Sequence, residues 1–244
     1  MTAKKKAPAK KAAPAAAKAV ATRTTNLPVN PTELLKKQLA DANQRVGQSE
    51  AKRVKIGLTG FTAPDGSTGN TLEVVVVDYT LVHSYYNSAY DPDRIVPPVC
   101  YANNRIFNEL APVPDAPEPQ SDSCGICPMN RFESAPNGKA KACRNSRLLA
   151  ILPLDALDSA PLWTFSVAPT STKIWDGYVR DLMKMNLTPM FAATKIGFDV
   201  FKTWAKPNFN AMAPLNADEV SKVMTRLEEA RVLIDAIPDF DRDS

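Results

Sequence analysis

Histidine occurs once in the 244 residues, at His83, and glycine only 9 times. The single imidazole leaves little for general acid–base or nucleophilic chemistry. None of the few glycines builds a phosphate-binding Gly-rich loop. No pair of carboxylates stands out as acid and base, so an enzyme is the least supported class. No apolar run approaches the roughly 20 residues that cross a bilayer. The first residues are basic but lack the apolar stretch of a secretory signal. A soluble, cytoplasmic protein without membrane contact is expected.

What the chain does have is proline, with 21 residues that fix turns and connections, and an ordinary globular apolar content of 44%. Its charge is unevenly spread. Residues 1–27 carry six Lys, Arg23 and no acid, giving +7, which leaves −3 for the rest of a chain of net +4. This Lys/Ala/Pro/Thr-rich stretch cannot bury enough apolar surface to offset the entropy of ordering it. It reads as a disordered basic arm, either solubilising or in electrostatic contact with nucleic acid.

The four cysteines are Cys100, Cys124, Cys127 and Cys143. Cys124-Gly125-Ile126-Cys127-Pro128 places two thiols on one short turn, and Gly125 suits a turn that needs positive φ. Pro136-Asn137-Gly138 makes a second turn before Cys143. Four soft donors with one tight pair suit a structural Zn²⁺, whose closed shell leaves no open position for catalysis. Disulfides, unliganded buried thiols and an iron–sulfur cluster are the other readings; nothing points to the oxidising compartment that disulfides need.

Residues 137–147 hold Lys139, Lys141, Arg144 and Arg147 and no acid. Cations at this spacing suit a phosphate backbone; a solvated basic loop is the plainer reading. Tyr79, Tyr85, Tyr86, Tyr90 and Tyr101 gather nearby. Tyr85, Tyr86 and Phe132 are candidates to stack on bases, although most tyrosines are at least partly buried. His83 reads as structural or surface, less as a replacement metal ligand.

Along the chain, a helix is expected over 28–50, with Asn30, Pro31 and Glu33 as start signals. Alternation predicts strands at 53–61 and 71–83, paired as a hairpin. Residues 91–123 read as an irregular connection into a metal module of about 95–147. Strands follow at 148–152 and 162–167. A helix begins at Ser171 or Thr172, with Ile174, Tyr178 and Leu182 on its inner face and Val179 alongside. Two more strands, broken near Gly197, fill 189–204. A C-terminal helix over 211–234 starts at Asn216, with Asp218 and Glu219 in its first turn and Val220, Val223, Leu227 and Ala230 on its apolar face. The acidic tail 235–244 contains Ile237, Pro238, Asp239 and Phe240, a segment suited to a basic, apolar-lined groove on a partner. The class is α+β, mainly β: an OB-like domain over 51–210, with strands, a helix and two further strands in barrel order, a zinc loop inserted and helices flanking.

The run Cys124-Gly-Ile-Cys127-Pro-Met-Asn, followed by Asn137-Gly-Lys-Ala-Lys-Ala-Cys143-Arg-Asn-Ser-Arg-Leu-Leu, resembles segments of bacteriophage single-stranded DNA-binding (helix-destabilising) proteins. The likeness covers roughly residues 95–200, and its motifs lie mainly in 124–149. Asp-Ala-Ile-Pro-Asp-Phe is similar to the acidic Ile-Pro-Phe tip of bacterial single-stranded DNA-binding proteins, with four residues following Phe240 here. A zinc shell of this phage type includes a histidine, where this chain offers four cysteines. The resemblance implies sequence-tolerant binding of single strands in phage replication, recombination or repair, with replication or recombination proteins meeting the tail. A zinc-stabilised interaction or transcription factor without single-strand preference is the alternative, and a duplex binder driven by the basic arm a further one.

Overall fold

The four valines at 74–77 lie inside the longest strand of the computed structural model, which describes residues 52–57, 60–89, 91, 96–198 and 206–237. The expected N-terminal arm and the helix over 28–50 lie outside the described residues, as do Tyr90, Pro238, Asp239 and Phe240. Three two-residue strands open the described part: β1 (Lys55–Ile56), β2 (Phe61–Thr62) and β3 (Thr68–Gly69), each paired antiparallel to the next. They precede β4 (Thr71–Tyr85), β5 (Cys100–Asn104), β6 (Arg144–Pro153) and β7 (Trp163–Val167). Helix α1 (Thr172–Lys184) then leads to β8 (Ala192–Phe198) and β9 (Pro207–Pro214), and α2 (Ala217–Thr225) and α3 (Leu227–Asp235) end the fold.

The main sheet is antiparallel and runs β7-β6-β4-β8-β9. β4 is long enough to hold two partners along one edge: β8 pairs with its first half, β5 with its last five residues. All four valines are buried because both faces of β4 are covered. Val74 and Val76 face a core with Leu149, Ile151, Phe165 and Trp175; Val75 and Val77 face another with Leu152, Leu162, Val223 and Ile234. α1 covers the first face, and α2 with α3 the second. A bulge after Val76 shifts the register against β6. It flips the alternation, so that Tyr79 joins the Val74/Val76 face.

Several expectations change here. The sheet does not close into a five-stranded barrel, because its ladder ends at β7 and β9. The strands of the small sheet are too short to bridge that gap by hydrogen bonds. Residues 52–54 add to the β7 edge through Val54 N to Thr164 O (2.9 Å) and Thr164 N to Lys52 O (2.7 Å). Phe61 packs on Phe165 of β7 at 5.9 Å and stacks on Phe198 of β8 at 4.1 Å. The expected hairpin of 53–61 with 71–83 is absent, since β1 turns back on β2 and β4 pairs with distant strands. The connection 91–123 contains a strand, β5. Gly197 lies within β8, paired to Asn208, and β8 ends one residue later at Phe198, close to the expected break, with the second strand, β9, beginning at Pro207.

Helix α1 begins where expected, and Trp175, absent from the expected inner face, is as fully buried as Leu182, with Tyr178 also buried; Ile174 and Val179 are partly buried. The expected single C-terminal helix is two, parted at Arg226. β9, reaching Pro214, occupies the start of the range assigned to that helix. Asn216 caps α2 reciprocally: Glu219 N donates to Asn216 Oδ1 (3.0 Å) and Asn216 N to Glu219 Oε2 (2.8 Å). Asn216→Ala removes half of this capping box and should cost about 1 kcal/mol in urea unfolding.

Candidate metal centre and nucleic-acid interface

The four cysteines reach one place by different routes. Cys100 opens β5 and Cys143 immediately precedes β6, and β4 runs between these two strands. Register puts Tyr85 opposite Cys100, and His83 between Ala102 and Asn145, on one face of the sheet. Cys124 and Cys127 come from the loop joining β5 to β6 and close over that face, with Cys124 packed on Leu81, Ala102 and Leu110. All four cysteines, with His83, Met129 and Asn130 among their neighbours, line one cavity of about 10 Å³, room for a single water-sized occupant.

The backbone around this cavity is pinned. Cys124 N donates to Leu110 O and Cys143 N to Met129 O, both at 2.9 Å. Asn130, to which the sequence reading gave no role, is the side-chain hub. Its Nδ2 donates to Cys124 O (2.7 Å), and its Oδ1 accepts from Asn145 Nδ2 (2.8 Å) and Lys141 Nζ (3.1 Å). Gly138 takes positive φ (67°) in the expected Pro-Asn-Gly turn; Gly125 does not, so the Cys-x2-Cys turn has no left-handed requirement.

All four thiols are free and buried. Burial, then the neighbouring sulfurs Cys100 and Cys127, pushes Cys124 up to about 11. Burial and then the other three cysteines push Cys143 to about 12, with Lys141 pulling the other way. Cys100 is raised too, chiefly by burial. Ionised, Cys124 and Cys143 would be repelled by neighbouring sulfurs in a buried site, so without a cation these two stay protonated. Among the described residues no three His, Cys, Asp or Glu side chains form a ready coordination group. The donor chemistry of four cysteines lining one small cavity is nonetheless of the kind a thiolate-preferring ion takes. His83 is buried and far from the surface role weighed for it. Burial, then Arg147 and Lys141, lowers its pKa to about 4, so its ring is neutral.

The basic segment frames the same end of the sheet. The Arg144 guanidinium lies over the Tyr86 ring at 5.1 Å, and Lys141 Nζ over the Phe132 ring at 5.3 Å. Phe132 is 74% exposed, whereas Tyr85 and Tyr86 are half-buried. Lys139 and Arg144 are exposed. Arg147 differs: its guanidinium makes a two-pronged pair with Asp176 of α1 (3.2 and 3.1 Å), with 12% of the side chain exposed. Tyr79 packs edge-on against Trp175, and Tyr101 is buried, its hydroxyl pushed up to about 12 by that burial. Exposed Arg131 sits in the same loop. Of the tail residues named above, only Ile237 is described, and it is 46% exposed. The preceding Asp235 pairs with Arg105 at 3.0 Å, and Asn103 Nδ2 donates to Ile234 O at 2.8 Å.

No family model, curated protein or solved structure matches the chain. Among the described residues no helix is long and apolar enough to cross a membrane.

Proposed function

We propose that this chain binds single-stranded DNA without marked sequence preference, as a phage-type helix-destabilising protein acting in replication, recombination or repair. The observation that carries the reading is the pairing of cations with aromatic rings, Arg144 with Tyr86 and Lys141 with Phe132, at one end of the sheet. A single strand offers phosphates and base faces together, and this combination answers both. Zn²⁺ is the ion proposed for the four-cysteine site. Its role is to hold the loop that carries Phe132, Lys139 and Lys141, with no catalytic part. The OB-like reading rests on the strand and helix order alone, an analogy that adds little to function by itself. The acidic tail is the proposed contact for replication or recombination proteins.

Fluorescence anisotropy with labelled oligo-dT and a duplex of equal length, at low and moderate salt, tests this. The chain lacking residues 1–27 should still prefer the single strand. Lys139→Ala, Lys141→Ala and Arg144→Ala together should reduce the slope of log affinity against log salt by about 2, at about 0.7 per phosphate contact. Arg147→Ala, breaking the Asp176 pair, should act more on stability than on that slope. Equal binding to both nucleic acids, lost with the arm, would sink the reading in favour of a basic-tail duplex binder. One observation favours a protein partner instead: Ile106, Phe107, Ile126 and Phe132 all stand more than half exposed on the β5–β6 loop. No nucleic-acid binding by a metal-loaded chain would make that reading the better one.

A further inference from the structure

His83 is a buried polar group lining the four-cysteine cavity whose bonding is incomplete, as is that of the Oδ1 of its cross-strand neighbour Asn145. His83 is 3% exposed and its Nδ1 has no hydrogen-bond partner. Buried polar atoms are rarely left so, and each such orphan points to an absent partner. β4 holds the ring in the lining of the cavity that the cysteines share. Its cross-strand neighbour Asn145 turns its amide to Asn130.

A tetrahedral ion takes four donors, and His83 lines this space beside the four cysteines. Four thiolates around a divalent cation carry a net charge of −2 in a buried site, and such sulfurs need hydrogen-bond donors nearby. Gln120 N–H already bonds the Cys100 sulfur, and several other donors nearby are committed. The amides of Cys124 and Cys143 bond Leu110 and Met129 carbonyls, Lys141 Nζ bonds Asn130, and Arg147 is held by Asp176. A neutral imidazole has one N–H to give.

We propose that His83 is a positioning residue of the metal site, donating a hydrogen bond from Nδ1–H to one of the four thiolates when the ion is bound. This rests on the four-cysteine metal reading above. Partners of this outer kind commonly set metal affinity by about 10–100-fold. The test uses the full chain loaded with Co²⁺, whose absorption bands report the number of sulfur ligands, in competition with a chelator. Wild type, His83→Phe and His83→Gln should all show a four-sulfur spectrum. His83→Phe should bind Co²⁺ about 10–100-fold more weakly, and His83→Gln, whose amide can replace the ring N–H, should recover most of that loss. Unchanged affinity in His83→Phe overturns the proposal, and so does a wild-type spectrum of three sulfurs and one nitrogen. Should His83→Phe fail to fold, His83→Gln decides: near wild-type affinity supports the role, and a full loss overturns it. A wild-type chain that binds no Co²⁺ sinks the four-cysteine reading itself, a distinct failure.

Discussion

Stripping the metal with a chelator should open the segment between β5 and β6 while both main cores stay folded. The segment has little of its own to hold it: its core is Leu81, Ala102, Leu110 and Cys124. The two larger cores contain none of the four cysteines. In isolated zinc-finger peptides the ion contributes about 10–16 kcal/mol of apparent binding energy that is also folding energy, far beyond what four small side chains bury. Limited proteolysis should therefore cut the chelated chain between residues 105 and 143 and spare β6 onward. Cys127→Ser should mimic chelation, and affinity for oligo-dT should fall by at least about tenfold, since Lys139, Lys141 and Phe132 ride on the loop. The pH dependence has a defined sign. In a metal-free chain the closed form of the segment is favoured only while Cys124 and Cys143, raised from 9.0 to about 11 and about 12 by burial, stay protonated. That contribution is complete below pH 9 and is lost as pH rises through 11 to 12. The metal-loaded chain, with protons already displaced, should not share this loss; its weakness lies on the acid side, where protons compete for sulfur. A chain expressed with zinc that carries no metal, and resists the protease regardless, would remove the metal from the account of this fold.

The largest loss of stability from one side chain is expected at Trp175. It is fully buried and is ringed by Tyr79, Tyr178 and Phe209 at centroid distances of 5.2, 5.6 and 5.1 Å. These neighbours come from β4, α1 and β9, so the indole joins the helix to the central strand and to one edge of the sheet. Trp175→Ala should lower stability by about 3–5 kcal/mol, the usual cost of emptying a large aromatic site. That is a large share of a domain's typical total of about 5–15 kcal/mol. Trp175→Phe should be far milder. The indole Nε1 is buried without a partner, and removing an unsatisfied donor returns about 1–3 kcal/mol against the lost volume. Urea titrations of the two variants separate the cases. Equal destabilisation by Phe and Ala would mean that the Nε1 group has a partner and that volume is not the main term.

Local rules set a good part of this molecule. Residues 71–83 and 148–152 read as strands because β-branched and aliphatic side chains cluster there, and they form β4 and the buried half of β6. Asn216 read as the start of a helix because a short amide followed by acids satisfies the first free N–H groups, and the capping box does so. The cysteine grouping was legible as well: the Cys-x2-Cys pair is fixed by one turn, and all four cysteines meet at one cavity.

Only the tertiary structure decided the rest. Four successive valines carry no label saying which face each will take; the β4–β6 register and its bulge assign them, and the same bulge turns Tyr79 toward Trp175. Arg147 looked like its neighbours Lys139, Lys141 and Arg144 until α1 brought Asp176 against it from 29 residues away. His83, a lone imidazole in the sequence, became part of the cysteine cavity because β5 and β6 flank it on both sides. Barrel closure depended on which distant edges meet, and among the described residues the ladder ends at β7 and β9 while Phe61 packs on Phe165 of β7 and Phe198 of β8. Propensity and turn chemistry act over a few residues and so are written locally. Register, charge pairing and sheet closure depend on which distant segments meet, and no local pattern encodes that.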